Sequence, residues 1–149
     1  MNISISLIFI ILQLIVAKPL PSNERSLNLA ENQSDLVGDG LTLLKKHCYS
    51  CHNPNTNSHD DIIAPPLAGI KRHYSDAYPE KEAFSKAMIE FVKNPTSEKS
   101  LMKGPVKRFG LMPKPVVTDQ EIKEIVLFIR DSELEKPKWF DEHEKGHGK

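Results

Sequence analysis

The sequence predicts an all-α domain of three to four helices joined by long irregular loops. Three stretches carry apolar residues at helical spacing, no stretch alternates apolar and polar residues as a half-buried strand would, and prolines interrupt the segments between. The first helix is expected from Asp35, where Leu36, Gly40, Leu43, Leu44 and His47 recur on one side and lead into Cys48. Gly40 costs such a helix about 1 kcal/mol relative to Ala, so a close crossing by another helix is the expected reason for it. A surface loop follows from Asn53 to Ile63, and Ala64-Pro65-Pro66-Leu67 is expected to be extended because each proline fixes its own φ and biases its predecessor away from helix. The next helix runs from about Pro79 to Lys93, with Phe84, Ala87, Met88, Phe91 and Val92 on one face and Asn94-Pro95 as its stop. The last is the clearest: Thr118 and Glu121 form a capping box, and Ile122, Ile125, Val126 and Ile129 follow at i, i+3, i+4 and i+7.

The chain has 149 residues with Lys plus Arg and Asp plus Glu equal at 20 each. That suits one ordinary domain with no electrostatic affinity for nucleic acid. An apolar run from Ile3 to Val16, closed by Ala17, has the length of a signal-peptide core, so residues 1–17 are read as a signal peptide, with an uncleaved anchor as the alternative. A periplasmic or otherwise exported protein is the expectation, touching a membrane only through such an anchor or a membrane-bound partner. Residues 18–34 form a flexible leader, 35–134 the domain and 135–149 a charged tail. In that tail Gly146 and Gly148 argue against helix, so His143 and His147 are expected in a disordered stretch rather than as a metal pair. Trp139 is expected to anchor the tail by packing.

A domain of this size with few short helices buries little apolar surface by itself. A large, planar, apolar cofactor at its centre resolves the difficulty, and the sequence supplies a place to attach one. Cys48, Cys51 and His52 stand at i, i+3 and i+4, positions that share one side of a helical turn. Two thiols so placed reach the two vinyl groups of a porphyrin while the imidazole faces its iron, and C-x-x-C-H is the pattern of c-type haem attachment. Three other readings compete: a thiol oxidoreductase C-x-x-C, which needs a βαβ pattern the chain lacks; a disulfide, the default for two cysteines in an exported protein; and half a zinc site with His47 or His59.

With these residues the chain resembles small bacterial mono-haem cytochromes c with histidine and methionine axial ligands. The likeness runs from about Leu36 to Asp131: Gly40 and Leu44 before the C-x-x-C-H motif, then Pro65-Pro66-Leu67-Ala68-Gly69, then Gly110-Leu111-Met112-Pro113, then the terminal helix with Ile125 and Phe128. The resemblance implies a cytochrome c fold wrapped around one covalently bound haem c, with Cys48 and Cys51 in thioether linkage and His52 on the iron. It places Gly40 where the first and last helices cross and Phe128 against the first helix. It also implies that the Pro65 carbonyl accepts a hydrogen bond from the free ring nitrogen of His52, as metal-bound imidazoles usually require of some neighbour. The sixth ligand is Met112, framed by Gly110, Pro113 and Pro115, with Met102 as the alternative; Met88 is read as core filling.

Histidine/methionine ligation raises the reduction potential and leaves no open coordination position, so the resemblance implies a one-electron carrier rather than an enzyme, alone or as a subunit of a larger oxidoreductase. Lys93, Lys99, Lys103, Lys107, Arg108 and Lys114 face only Glu98 within residues 93–117, whereas acids predominate after Thr118. If the basic stretch borders the haem edge, it steers the carrier toward an acidic docking patch on a redox protein partner. The rival functions are a haem enzyme or gas sensor with an open distal site, which needs a donor such as Arg72 or His73, and a non-haem C-x-x-C thiol oxidoreductase.

Overall fold

The computed structural model describes residues 40–147, and every regular element among them is helical. The expected signal peptide and leader, the start of the first helix at Asp35, the side chain of His147 and residues 148–149 lie outside the described part. In chain order the elements are α1 (40–47), a 3-10 turn (His59–Asp61), α2 (Leu67–Ala77), α3 (Lys81–Lys93), α4 (Lys103–Phe109), α5 (Asp119–Asp131) and α6 (Phe140–His147). No helix among the described residues is long and apolar enough to cross a membrane.

The first turn of α5 is held as its capping box requires. Thr118 Oγ1 accepts from the Glu121 backbone N–H at 3.2 Å, and Glu121 Oε2 accepts from the Thr118 N–H at 2.9 Å. The helix then buries Ile122, Ile125, Val126, Phe128 and Ile129, packing chiefly on α3, while α2 touches both. Leu44 of α1 and Val126 of α5 are fully buried, with Tyr74, Phe84 and Met88 around them.

α1 crosses α5 at Gly40. A Cβ there would lie 2.6 Å from Phe128 Cβ and 2.8 Å from the Glu124 carbonyl oxygen. Neither neighbour can swing away, since one is the root of a side chain and the other is backbone. Gly40→Ala therefore forces the two helices apart. We expect the about 1–3 kcal/mol cost of overpacking to exceed the about 1 kcal/mol gained in helix propensity, read as a lower midpoint in denaturant unfolding.

Three segments differ from the sequence reading. Residues 67–77 form α2 directly after the proline pair: Pro66 needs no N–H where it stands ahead of the first turn, and Tyr74 buries its ring at 4% exposure. Residues 103–109 form α4 within the basic stretch read as loop, because Pro105 sits in the first turn, where a missing N–H breaks no intrahelical bond. The charged tail is also not disordered, since residues 140–147 are helical despite Gly146. The reason is tertiary. Phe140 is buried against Gly69, the Trp139 indole N–H donates to the Thr56 carbonyl at 3.1 Å, and the His143 ring stacks on His59 with centroids 4.2 Å apart. Trp139 thus anchors the tail as expected, and it anchors a helix.

Candidate functional site

Helical hydrogen bonding continues past α1 through the cysteine motif. The Cys48 N–H donates to Leu44 O at 2.9 Å, the His52 N–H to Cys48 O at 2.9 Å and the Cys51 N–H to Cys48 O at 3.2 Å. This turn brings Cys48, Cys51 and His52 to the wall of one cavity of about 390 Å³, within the roughly 300–1,000 Å³ of ordinary ligand sites. The other walls are apolar: Ile63, Pro65, Leu67 and Ile70 from the proline turn and α2, Met88 and Phe91 from α3, Ile122, Ile125 and Ile129 from α5, and residues 100–117 around α4.

His52 Nδ1 lies 2.7 Å from the Pro65 carbonyl oxygen. A carbonyl only accepts, so Nδ1 carries the hydrogen and Nε2 keeps its lone pair. Burial holds the His52 pKa below the usual histidine value, opposed by the hydrogen bond to Pro65. Burial thus favours the neutral ring, the form in which imidazole ligates a metal. Burial, and then the neighbouring Cys51, push the Cys48 thiol up to about 11. A thiol so weakly acidic is a poor nucleophile at neutral pH.

Both candidate methionines reach the cavity wall. Met102 precedes α4 as its N-cap, with its N–H bonded to Ser100 Oγ at 3.2 Å. Met112 follows α4 after Gly110, whose φ of +84° is in the region that favours glycine and turns the chain into the extended stretch through Pro113 and Pro115. Met88, read from sequence as core filling, is buried at 3% exposure and also touches the cavity. Leu111 and Ile63, exposed at 39% and 65%, belong to the same lining and mark its mouth, with Lys114 beside them.

Other candidates fall elsewhere. Arg72 and His73 sit on the exposed side of α2, Arg72 paired with Glu144, and neither lines the cavity, so they supply no distal donor to it. No group of three or more His, Cys, Asp or Glu side chains among the described residues is arranged to hold a metal ion. His47 instead lines the cavity 3.5 Å from Glu121 Oε1. His59 pairs with Arg108: Arg108 Nη1 lies 2.9 and 2.7 Å from the two ring nitrogens, and Nη2 donates to the His59 carbonyl at 3.0 Å. Sequence reasoning missed this pairing. It brings together residues 49 positions apart, and nothing in either local sequence announces it.

The comparisons with known proteins agree with the geometry. The family model for cytochrome c matches residues 37–133. The chain is 27% identical over 132 residues to an uncharacterized protein of Aquifex aeolicus (strain VF5), covering 77% of this chain and 86% of that protein. No solved structure matches. A motif turn, a proline carbonyl and a methionine-bearing loop thus surround one apolar cavity inside the matched span. The chain belongs to the cytochrome c family, whose members hold haem iron covalently and pass electrons through it.

Proposed function

We propose that this chain is an exported one-electron carrier holding a single haem c, joined through Cys48 and Cys51, with His52 and Met112 as axial ligands. The observation that carries the reading is the convergence of Cys48, Cys51, His52 and Met112 on one apolar cavity. When bound through His52 and Met112, haem iron would supply a one-electron couple, and thioether ligation would favour the reduced state.

The chain's own residues set the conditions. Pro65 fixes the orientation of His52 and raises its basicity by accepting the Nδ1 hydrogen. Phe91, Ile125 and Ile129 keep water from the cavity, which disfavours the extra charge of the oxidised state. Leu111 and Ile63 form an apolar mouth where a docked protein approaches closely. Lys114 at that mouth and the exposed Lys107 steer it toward a partner with an acidic patch. Arg108, engaged with His59 and Asp60, takes less part.

The test is protein matured with a cell's own haem-attachment machinery. Denaturing electrophoresis with haem staining should leave colour on the polypeptide, and one haem per chain should be found by quantitative pyridine assay. The reduced spectrum should change only slowly after carbon monoxide is added at neutral pH. A colourless chain refutes the reading, whereas a haem protein that binds carbon monoxide at once refutes the ligation and moves the function to an open-site haem protein.

A further inference from the structure

The family match ends at residue 133, yet the structure continues into a helix that grips the site from outside. Leu134 is buried at 8% exposure. Glu135 pairs with Lys45 at 3.6 Å and lies against Tyr49, one of the two residues between the cysteines of the motif, whose hydroxyl burial and then Glu135 push up to about 12. Trp139 donates to the Thr56 carbonyl and meets the His59 ring edge-on, centroids 5.6 Å apart. His143 stacks on the face of that histidine and also meets Trp139 edge-on, and Glu144 pairs with Arg72 of α2. Arg108 completes the assembly, binding both the ring and the carbonyl of His59 from the last turn of α4.

Thr56 and His59 belong to the loop between His52 and Pro65. Arg108 stands two residues before Gly110, where the chain turns toward Met112. The His59 ring is therefore the point where the segment joining His52 to its hydrogen-bond acceptor meets the segment leading to the methionine. Trp139 and His143 press on that point from behind.

We infer that the C-terminal segment from Leu134 to α6 is a clasp, in which Trp139 and His59, bridged to Arg108, are positioning residues that hold the His52 wall and the methionine wall of the cavity against each other. The inference rests on the reading of His52 and a methionine as the two axial ligands. None of these side chains lines the cavity, so their effect on the iron passes through loops 53–61 and 110–117. The Trp139–Thr56 bond and the two ring contacts on His59 are long-range links between segments with little regular structure of their own. Removing them frees the backbone on both sides of the cavity while the α3–α5 core stays intact.

The haem-loaded protein is compared with Trp139→Ala, Trp139→Phe and Arg108→Ala, well below the unfolding temperature of each. Two quantities are read: backbone amide exchange in 53–61 and 110–117, and the rate at which the reduced protein takes up carbon monoxide in place of its own sixth ligand. Trp139→Ala should lower protection in both loops by about tenfold and speed carbon monoxide uptake several-fold. Trp139→Phe, which keeps an aromatic ring and loses the donor to Thr56, should fall between. Arg108→Ala, on an exposed side chain, should release the methionine loop even if Trp139→Ala fails to fold. Haem-loaded variants with wild-type uptake rates, or with protection lost at 53–61 alone, overturn the clasp, because a merely stabilising tail changes the unfolding temperature and not the second loop. A wild-type protein without haem refutes the carrier reading instead, and exchange in the two loops then decides the clasp by itself.

Discussion

Changing Cys48 and Cys51 together to serine should yield a chain that carries no haem through denaturing electrophoresis and has lost its fixed tertiary structure. The reason is the cavity. A closed apolar void costs about 24 cal/mol per Å³, so 390 Å³ sets an upper bound of about 9 kcal/mol, lowered by water that enters at the mouth. The whole stability of a domain is about 5–15 kcal/mol. A chain without its cofactor cannot keep the cavity open and native at once, so the walls must close in. Those walls are contributed by α2, α3, α5, the loop 63–65 and the segment 100–117 that contains α4, so collapse reaches most of the domain. Far-UV circular dichroism should keep much of its helical signal, near-UV bands should vanish, and a dye for exposed apolar surface should bind. Cys51→Ser alone should behave differently, since the more buried Cys48 still tethers the ring and the stain survives, weakened. A double variant with sharp near-UV bands and no haem would show that the helices hold the fold unaided, against the view of the cofactor as the missing core.

That dependence explains what was readable in advance. The attachment turn is local chemistry: its residues lie within one helical turn and announce themselves by type and spacing. α5 was equally legible, because Thr118, Glu121 and the apolar face from Ile122 to Ile129 agree with one another. Gly40 and Phe128 were placed by family likeness, and the structure puts them in contact. α2 was hidden by its own leader, since Pro65 and Pro66 demand extended backbone and yet prepare a helix start at Leu67. α4 was hidden by Gly104 and Pro105, poor residues in the middle of a helix and harmless in its first turn. α6 was hidden by Gly146 and Gly148, which argue against helix, whereas Trp139 and Phe140 dock on Thr56 and Gly69, residues far away in sequence. Local rules fail where tertiary contact supplies the energy.

The choice between the two methionines is of the same kind, and substitution should settle it with a large effect. Met112→Ala should open the iron to carbon monoxide in the reduced state, remove the sulfur-to-iron charge-transfer band from the oxidised spectrum, and lower the reduction potential by a sizeable part of the roughly 0.8 V over which axial ligands tune haem iron. Met102→Ala should leave all three unchanged. Both side chains reach the cavity, so proximity does not distinguish them; backbone setting does. Met102 caps α4, with its N–H on Ser100 Oγ and its carbonyl accepting from the Val106 N–H at 3.2 Å, so its main chain is already committed to starting a helix. Met112 lies in backbone free of helical bonding, turned by Gly110 and stiffened by Pro113 and Pro115. Stiffness there lowers the entropy lost on ligation, which favours a bond to sulfur strong enough to keep small molecules out. If Met102→Ala instead opens the iron and Met112→Ala does not, the ligand role passes to the cap of α4, and the proline-framed loop becomes a lip of the docking surface.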